Sequence, residues 1–124
     1  MSVATKRVLI VDDANSTLFA LSQYLTFRGF RVDGAQGMDD ACALVRHLYY
    51  DAVVFGWDPL NCGGATRLSG EVRRHHVGTK LVALVAESAA SFEVNAAMVD
   101  ADEVLGRHLS TTQLALLLYH SLAA

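Results

Sequence analysis

The chain has little of several features that would place it in a special class of protein. One proline among 124 residues, with 52% apolar residues, excludes a disordered chain and favours a single ordered domain over residues 1–124. No apolar run approaches the roughly 20 residues that span a bilayer, and no signal-peptide pattern precedes the first apolar run. We therefore expect a cytoplasmic protein that has no membrane partner.

Basic residues and cysteines are also scarce. Lysine and arginine number 10 against 13 aspartate and glutamate residues, and the resulting net charge of -3 argues against a nucleic-acid partner. The two cysteines, Cys42 and Cys62, lack the spacing of a metal or redox site. We interpret them as reduced thiols.

Short apolar runs alternate with amphipathic segments along the whole chain. Continuous runs rich in β-branched residues, such as the one at positions 8–11, are typical of strands buried on both faces of a parallel sheet. The pattern predicts strands at Val8–Val11, Phe30–Gly34, Ala52–Trp57, Lys80–Val85 and Glu103–Leu105. It predicts helices from Asn15 or Ser16 to Gly29, then at Asp39–His47, Ala65–His75, Ser91–Val99 and Ser110–Leu122. Such alternation predicts an α/β fold with a doubly wound, five-stranded parallel sheet, whose functional site lies at the carboxyl ends of the strands.

Four stretches fall in the order and spacing of the response-regulator receiver family: Lys6–Asp13, Gly29–Val32, Asp51–Phe55 and Asp100–Leu105. The chain resembles that family over almost its whole length. The resemblance implies a flavodoxin-like fold with strand order 2-1-3-4-5 and a role in two-component signal transduction.

The resemblance also implies where a phosphorylation site would lie. Asp12 and Asp13 match the acidic pair with which receivers hold Mg²⁺. The phosphoacceptor position is Gly56, and glycine offers no nucleophilic atom. We therefore expect a pseudo-receiver that is not an enzyme and that acts through protein contacts, independently of phosphorylation.

The other positions of the family site have changed as well. Val85 stands where receivers carry a threonine or serine that hydrogen-bonds the phosphoryl group. Val104 occupies the position of the aromatic residue that usually reports phosphorylation, and Arg107 stands in place of the family lysine. We expect these changes to disconnect the phosphorylation switch that the resemblance implies.

Asp58, two residues after Gly56, supports an alternative function. In that alternative, the chain is a functional response regulator that accepts phosphate from a histidine kinase on Asp58 or another acid, with Mg²⁺. A flavin-binding flavodoxin shares the topology, but an acidic pair follows the first strand where a flavodoxin has its phosphate-binding loop.

The adjacent carboxylates of Asp12 and Asp13 require a compensating charge or proton. Arg107 can pair bidentately with a carboxylate, so we hypothesise an internal pair between Arg107 and Asp12 or Asp13. The competing hypotheses are weak Mg²⁺ binding by Asp12, Asp13 and Asp58, and an idle acidic pair. No cofactor beyond weakly bound Mg²⁺ is expected.

The segment Ser110–Ala124 contains no Asp, Glu, Lys or Arg, although a final helix that covers a monomer normally has a charged outer face. We expect the core face of this helix to consist of Leu114, Leu117, Leu118 and Leu122. The flank and exterior would then consist of Gln113, Leu116, Tyr119, His120 and Ala123. In the receiver family, helix 4, strand 5 and helix 5 form the usual partner and dimer face. We expect a protein partner or a homodimer there; the alternative is that these residues are merely half-buried.

Overall fold

The computed structural model describes residues 6–11, 16–57, 63–76, 78–85 and 101–106, together with 112–113, 116–117 and 119–120. The described elements are β1 (Arg7–Val11), α1 (Ser16–Phe27), β2 (Arg31–Ala35), α2 (Met38–His47), β3 (Ala52–Trp57), α3 (Gly63–His75), β4 (Lys80–Val85) and β5 (Glu103–Gly106). Residues 112–113, 116–117 and 119–120 are helical, and we call them the C-terminal helical segment. The predicted helix Ser91–Val99 lies outside the described residues. None of the described helices is long and apolar enough to cross a membrane.

The five strands form one parallel sheet in the order β2-β1-β3-β4-β5. This confirms the predicted doubly wound, flavodoxin-like fold with strand order 2-1-3-4-5. The bounds of β3 and β4 agree with the prediction, because a continuous apolar run marks each of these central strands. At the edge of the sheet, β2 is partly exposed and begins one residue later than predicted.

Alternate residues of the central strands pack into two apolar layers, one on each face of the sheet. One layer joins the sheet to α2 and α3, and it consists of Leu9, Val11, Ala35, Ala41, Cys42, Val45, Tyr50, Val53, Phe55, Leu68, Val72, Leu81 and Ala83. The other joins the sheet to α1 and consists of Val8, Ile10, Leu21, Leu25, Phe30, Ala52, Val54, Val82 and Leu84, with Tyr24, Val32 and Tyr119 packed against them. The helices therefore lie on both faces of the sheet, with α1 and the C-terminal helical segment on the face opposite α2 and α3.

Helix α1 ends in a hydrogen-bonded cap that the glycine after it makes possible. Gly29 has a φ of 98°, in the left-handed region that favours glycine. Its N–H donates to the Thr26 carbonyl at 3.0 Å, and the Phe30 N–H donates to the Leu25 carbonyl at 3.1 Å. This is the Schellman pattern, and the buried side chains of Leu25 and Phe30 belong to the same apolar layer. The predicted stop at Gly29 is thus confirmed, and the cap sends the chain from the surface back into the core.

Cys42 is a free thiol that is fully buried in α2, as expected for a reduced cysteine. Burial raises the pKa of this thiol, so it stays protonated at neutral pH. Cys62 lies outside the described residues.

Candidate functional site

The carboxyl ends of the strands meet at one edge of the sheet, where α/β folds of this kind have their sites. Val11, the last residue of β1, pairs with Phe55 of β3, directly before Gly56. The last residue of β3, Trp57, pairs with Val85 of β4, and Val85 in turn pairs with Gly106 of β5. The backbone of four strands therefore ends around Gly56.

Gly56 lies within β3 and is partly exposed at this edge. Its backbone pairs with Leu84, one residue before the end of β4. Because glycine has no side chain, the central strand offers no carboxylate at this position.

The remaining predicted site residues are placed only in part. Val85 is the last residue of β4, and Val104 in β5 pairs with Ala83, two residues farther from the edge. Asp12, Asp13, Asp58 and Arg107 lie outside the described residues. The pairing of Arg107 with Asp12 or Asp13 and the weak Mg²⁺ site therefore remain predictions. In the part of the chain that is described, no group of three His, Cys, Asp or Glu side chains could hold a metal ion.

Two described carboxylates have structural roles close to the amino ends of the strands. An Oδ2 atom of Asp51 accepts a hydrogen bond from the Arg7 N–H at 2.8 Å. Oδ2 of Asp102 accepts a hydrogen bond from the Leu81 N–H at 2.7 Å and lies 3.0 Å from Nη2 of Arg73. These acids hold strand ends in place, so neither belongs to the candidate site.

A charged cluster between α2 and α3 was not predicted from the sequence. Glu71 is nearly buried, and its two carboxylate oxygens each accept a hydrogen bond from the Arg46 guanidinium at 3.1 Å. Nη1 of Arg74 and Nε2 of His75 lie 3.6 and 3.3 Å from the same carboxylate. The hydrogen bonds from Arg46 lower the pKa of Glu71, so this buried acid stays ionised and fastens the two helices together. The i, i+3 and i, i+4 spacing to Arg74 and His75 is the one signal for this cluster in the sequence.

A second unpredicted cluster surrounds Tyr50, which follows α2 and is fully buried. Tyr49, the residue before it, is 50% exposed. The Tyr50 hydroxyl donates to Oδ2 of Asp33 at 2.7 Å, and the Tyr50 carbonyl accepts from the Thr79 hydroxyl at 2.5 Å. These bonds connect β2, the segment after α2 and the segment before β4, and no local sequence pattern predicts them.

The C-terminal helical segment contains four of the five residues predicted for the flank and exterior, where the interface is expected: Gln113, Leu116, Tyr119 and His120. Ala123 lies outside the described residues. Gln113, Leu116 and His120 are exposed, and Leu116 is 41% exposed. Tyr119 is half-buried, and its ring meets that of Phe30 edge-on, with centroids 5.9 Å apart. Three of the four residues therefore face the exterior, and Tyr119 lies on the flank beside α1.

The expectation that Leu117 belongs to the core face of this helix is wrong. Its side chain is 45% exposed, so it shares the outer face with Leu116. The other three residues assigned to that face, Leu114, Leu118 and Leu122, lie outside the described residues. The outer face consequently has two neighbouring leucines rather than one.

A family model describes this arrangement. Residues 8–118 match the response regulator receiver domain, so the chain belongs to the response regulator receiver domain family. No curated protein matches the chain.

Solved structures of receivers have the same fold at low sequence identity. A CheY-like receiver domain protein from Methanospirillum hungatei JF-1 is 22% identical, with a TM-score of 0.79 and coverage of 97% of this chain and 95% of its own. A response regulator from Thermotoga maritima is 20% identical, with a TM-score of 0.80 and coverage of 97% and 99%. HP1043, an orphan response regulator of H. pylori, is 21% identical, with a TM-score of 0.78 and coverage of 98% and 99%. At these identities, the similarity is one of fold.

Proposed function

We propose that this chain is a pseudo-receiver, a signalling domain that accepts no phosphate, is not an enzyme and acts through protein contacts. The observation that carries the proposal is Gly56, which lies in β3 at the edge where four strands end. Phosphoryl transfer to a receiver requires a nucleophilic oxygen in line with the donor, and this position has none.

The residues at the ends of the neighbouring strands support the proposal. Val85 ends β4 without a hydroxyl that could hydrogen-bond a phosphoryl group, and Val104 in β5 has no aromatic ring that could report it. Restoring the nucleophile alone would thus leave the switch incomplete. The domain then needs no cofactor, and Asp12 and Asp13 bind Mg²⁺ weakly or are neutralised by Arg107.

The experiment incubates the protein with acetyl phosphate or beryllofluoride and Mg²⁺. Intact mass reports phosphorylation, and the fluorescence of Trp57, the single tryptophan and the residue after Gly56, reports occupancy of the site. We expect neither a mass gain nor a Mg²⁺-dependent fluorescence change, while a phosphate-accepting receiver in the same reaction shows the mass gain.

Asp58 is the residue on which the alternative function rests. If the wild-type chain gains one phosphoryl group and Asp58→Asn abolishes the gain, the protein is a functional response regulator and the proposal is refuted. If the gain persists in Asp58→Asn, another acid is the acceptor, and the proposal fails equally. HP1043, which has the same fold, is an orphan response regulator.

For the protein contacts, we propose the surface formed by the predicted helix Ser91–Val99, β5 and the C-terminal helical segment. The support comes from the outer face of the C-terminal helical segment, where Leu116 and Leu117 are 41% and 45% exposed. The segment itself adds no charge beside them, because residues 110–124 contain no Asp, Glu, Lys or Arg. Such a face favours association with a protein partner or a second copy.

Light scattering at micromolar concentration tests the homodimer. We expect association that Leu116→Lys abolishes, because the lysine places a charge in the contact. The matched control is Leu48→Lys, which changes an exposed leucine just after α2, on the opposite side of the sheet. A strict monomer, or equal effects of both variants, would contradict a homodimer through this face.

A further inference from the structure

Two segments on one face of the sheet contain no charged residue. Helix α1 (Ser16–Phe27) contains no Asp, Glu, Lys or Arg, and neither does the segment 110–124. The two lie on the same face of the sheet, because Tyr119 packs against the apolar layer that contains Leu21 and Leu25 of α1. Helices α2 and α3 on the opposite face, by contrast, contain acidic and basic residues.

The cap of α1 places one apolar and one charged side chain beside these two segments. The chain turns inward at Gly29, so Phe27 and Arg28 stay at the surface. Phe27 is 87% exposed, and its ring covers no part of the described core. Covering a phenylalanine so exposed with another apolar surface removes its apolar area from water, which is favourable.

Arg28 makes cation–π contacts with two tyrosines. Its Cζ atom lies 5.3 Å from the centroid of the Tyr24 ring and 5.3 Å from that of the Tyr119 ring. One Nη2–H donates to the Tyr24 hydroxyl at 3.0 Å. Among the described residues, no carboxylate forms an ion pair with Arg28, whereas Arg46, Arg67 and Arg73 each have one.

These contacts leave most N–H groups of the Arg28 guanidinium available to another molecule. A guanidinium has five N–H groups, and one of them binds Tyr24 here. The hydrogen bond to Tyr24 and the two cation–π contacts restrict the Arg28 side chain, so less side-chain entropy is lost when a carboxylate binds it. Tyrosine, phenylalanine and arginine are also the residue types enriched at the centres of protein interfaces.

We propose that Tyr24, Phe27, Arg28 and Tyr119, which we call the Arg28 surface, bind a protein partner that presents a carboxylate within an apolar patch. The apolar part of the partner covers Phe27, and its carboxylate receives the free N–H groups of Arg28. The proposal goes beyond the proposed function, because it holds whether or not the domain accepts phosphate. It also uses the flank of the C-terminal helical segment, not its outer leucines.

Charge complementarity selects this occupant over two others. A second copy placed face to face would bring Arg28 near its own counterpart, since α1 and residues 110–124 contain no acid to pair with it. A nucleic acid is held by several phosphate contacts from lysine and arginine, and this surface offers one cation. A single carboxylate on an apolar protein surface matches one arginine among aromatic rings.

The experiment selects peptides from a random display library on three proteins: wild type, Arg28→Glu and the control Arg67→Glu. Arg67 is an exposed arginine on the opposite side of the sheet, so its reversal changes net charge equally. We expect wild type and Arg67→Glu to select peptides with Asp or Glu beside apolar residues. Arg28→Glu selects basic residues at that position instead.

The best wild-type peptide is then measured against paired changes. Replacing its acid by the amide, or Arg28 by Gln, is expected to weaken binding by about tenfold, and both together by little more, because each removes the same pair. Phe27→Ser weakens the acid and amide peptides equally. Chemical shifts of the labelled protein upon binding should map to Tyr24, Phe27 and Tyr119.

Several results would overturn the proposal. The proposal fails if the selected peptides show no preference for acidic residues, or if substitution of Arg28 leaves the affinities unchanged. It also fails if the chemical-shift changes map to residues outside the Arg28 surface. Self-association of the wild type that Arg28→Glu abolishes identifies a second copy as the occupant. Binding of a single-stranded oligonucleotide that Arg28→Gln abolishes identifies a nucleic acid. Unfolding curves of each variant confirm that binding is lost from a folded protein.

Discussion

The hydroxyl of Tyr50 offers a sharp test of the described core. Tyr50→Phe removes the hydrogen bond to Asp33 and leaves the ring in place. A hydrogen bond to a charged group contributes about 1.5–3 kcal/mol when buried. Asp33 is only half-buried, so water replaces part of the bond. We expect Tyr50→Phe to lower the free energy of unfolding by about 1.5 kcal/mol at pH 8.

The same hydroxyl predicts how this difference changes with pH. Burial, and secondly the bond to Asp33, raise the pKa of Tyr50 well above the usual value of a tyrosine. The stability that comes from a raised pKa is fully present below the unfolded-state pKa of about 10 and is lost as pH rises above it. One pH unit above that value, the wild type has lost about 1.4 kcal/mol from this group, and the variant has lost none. The two proteins should therefore be about equally stable near pH 11.

Urea unfolding at pH 8 and pH 11, followed by far-ultraviolet circular dichroism, measures both values. The control is Tyr49→Phe, which changes the neighbouring, half-exposed tyrosine and should alter the free energy of unfolding by less than about 0.5 kcal/mol. A Tyr50→Phe difference that is equally large at both pH values would show that the hydroxyl is not held in a buried hydrogen bond. So would a difference no greater than that of the control.

Two glycines should respond to alanine with opposite signs. Gly29→Ala places a side chain on a backbone with a φ of 98°, which L-residues rarely adopt, and the added Cβ makes no contact within 4 Å. We therefore expect the free energy of unfolding, measured with urea, to fall by about 1 kcal/mol. Gly70→Ala adds a methyl group in open space within α3, and we expect a gain of about 0.5–1 kcal/mol in the same measurement. If Gly29→Ala proved neutral, α1 would not end in the described cap; if Gly70→Ala were destabilising, residue 70 would have a neighbour.

Elements with a strong local pattern were predictable from the sequence. The continuous apolar runs of β3 and β4 and the glycine after α1 marked their bounds, because these signals depend on residues adjacent in the chain. The outer face of the C-terminal helical segment was predicted less well, and Leu117 was wrongly assigned to the core. An uncharged helix has no polar stripe from which to read its orientation, so packing against α1 decides it.

The polar and charged contacts of the molecule were likewise predictable only in part. The positions of Gly56, Val85 and Val104 in the site were implied by the resemblance to the receiver family, and the structure places these residues in β3, β4 and β5. The ion pair between Arg46 and Glu71 was not predictable, since the two residues are 25 positions apart and meet where α2 packs on α3. Nothing in either helix alone indicates such a partner.

What the sequence by itself determined is chemical inventory: position 56 has no nucleophile, and neither α1 nor residues 110–124 have any charge. These facts hold in any fold. Only the tertiary structure decided which groups meet, such as the Tyr50 hydroxyl with Asp33, and Arg28 with the rings of Tyr24 and Tyr119. The physical reason is that burial and hydrogen bonding bring together residues that are distant in the chain, and local periodicity contains no information about those distances.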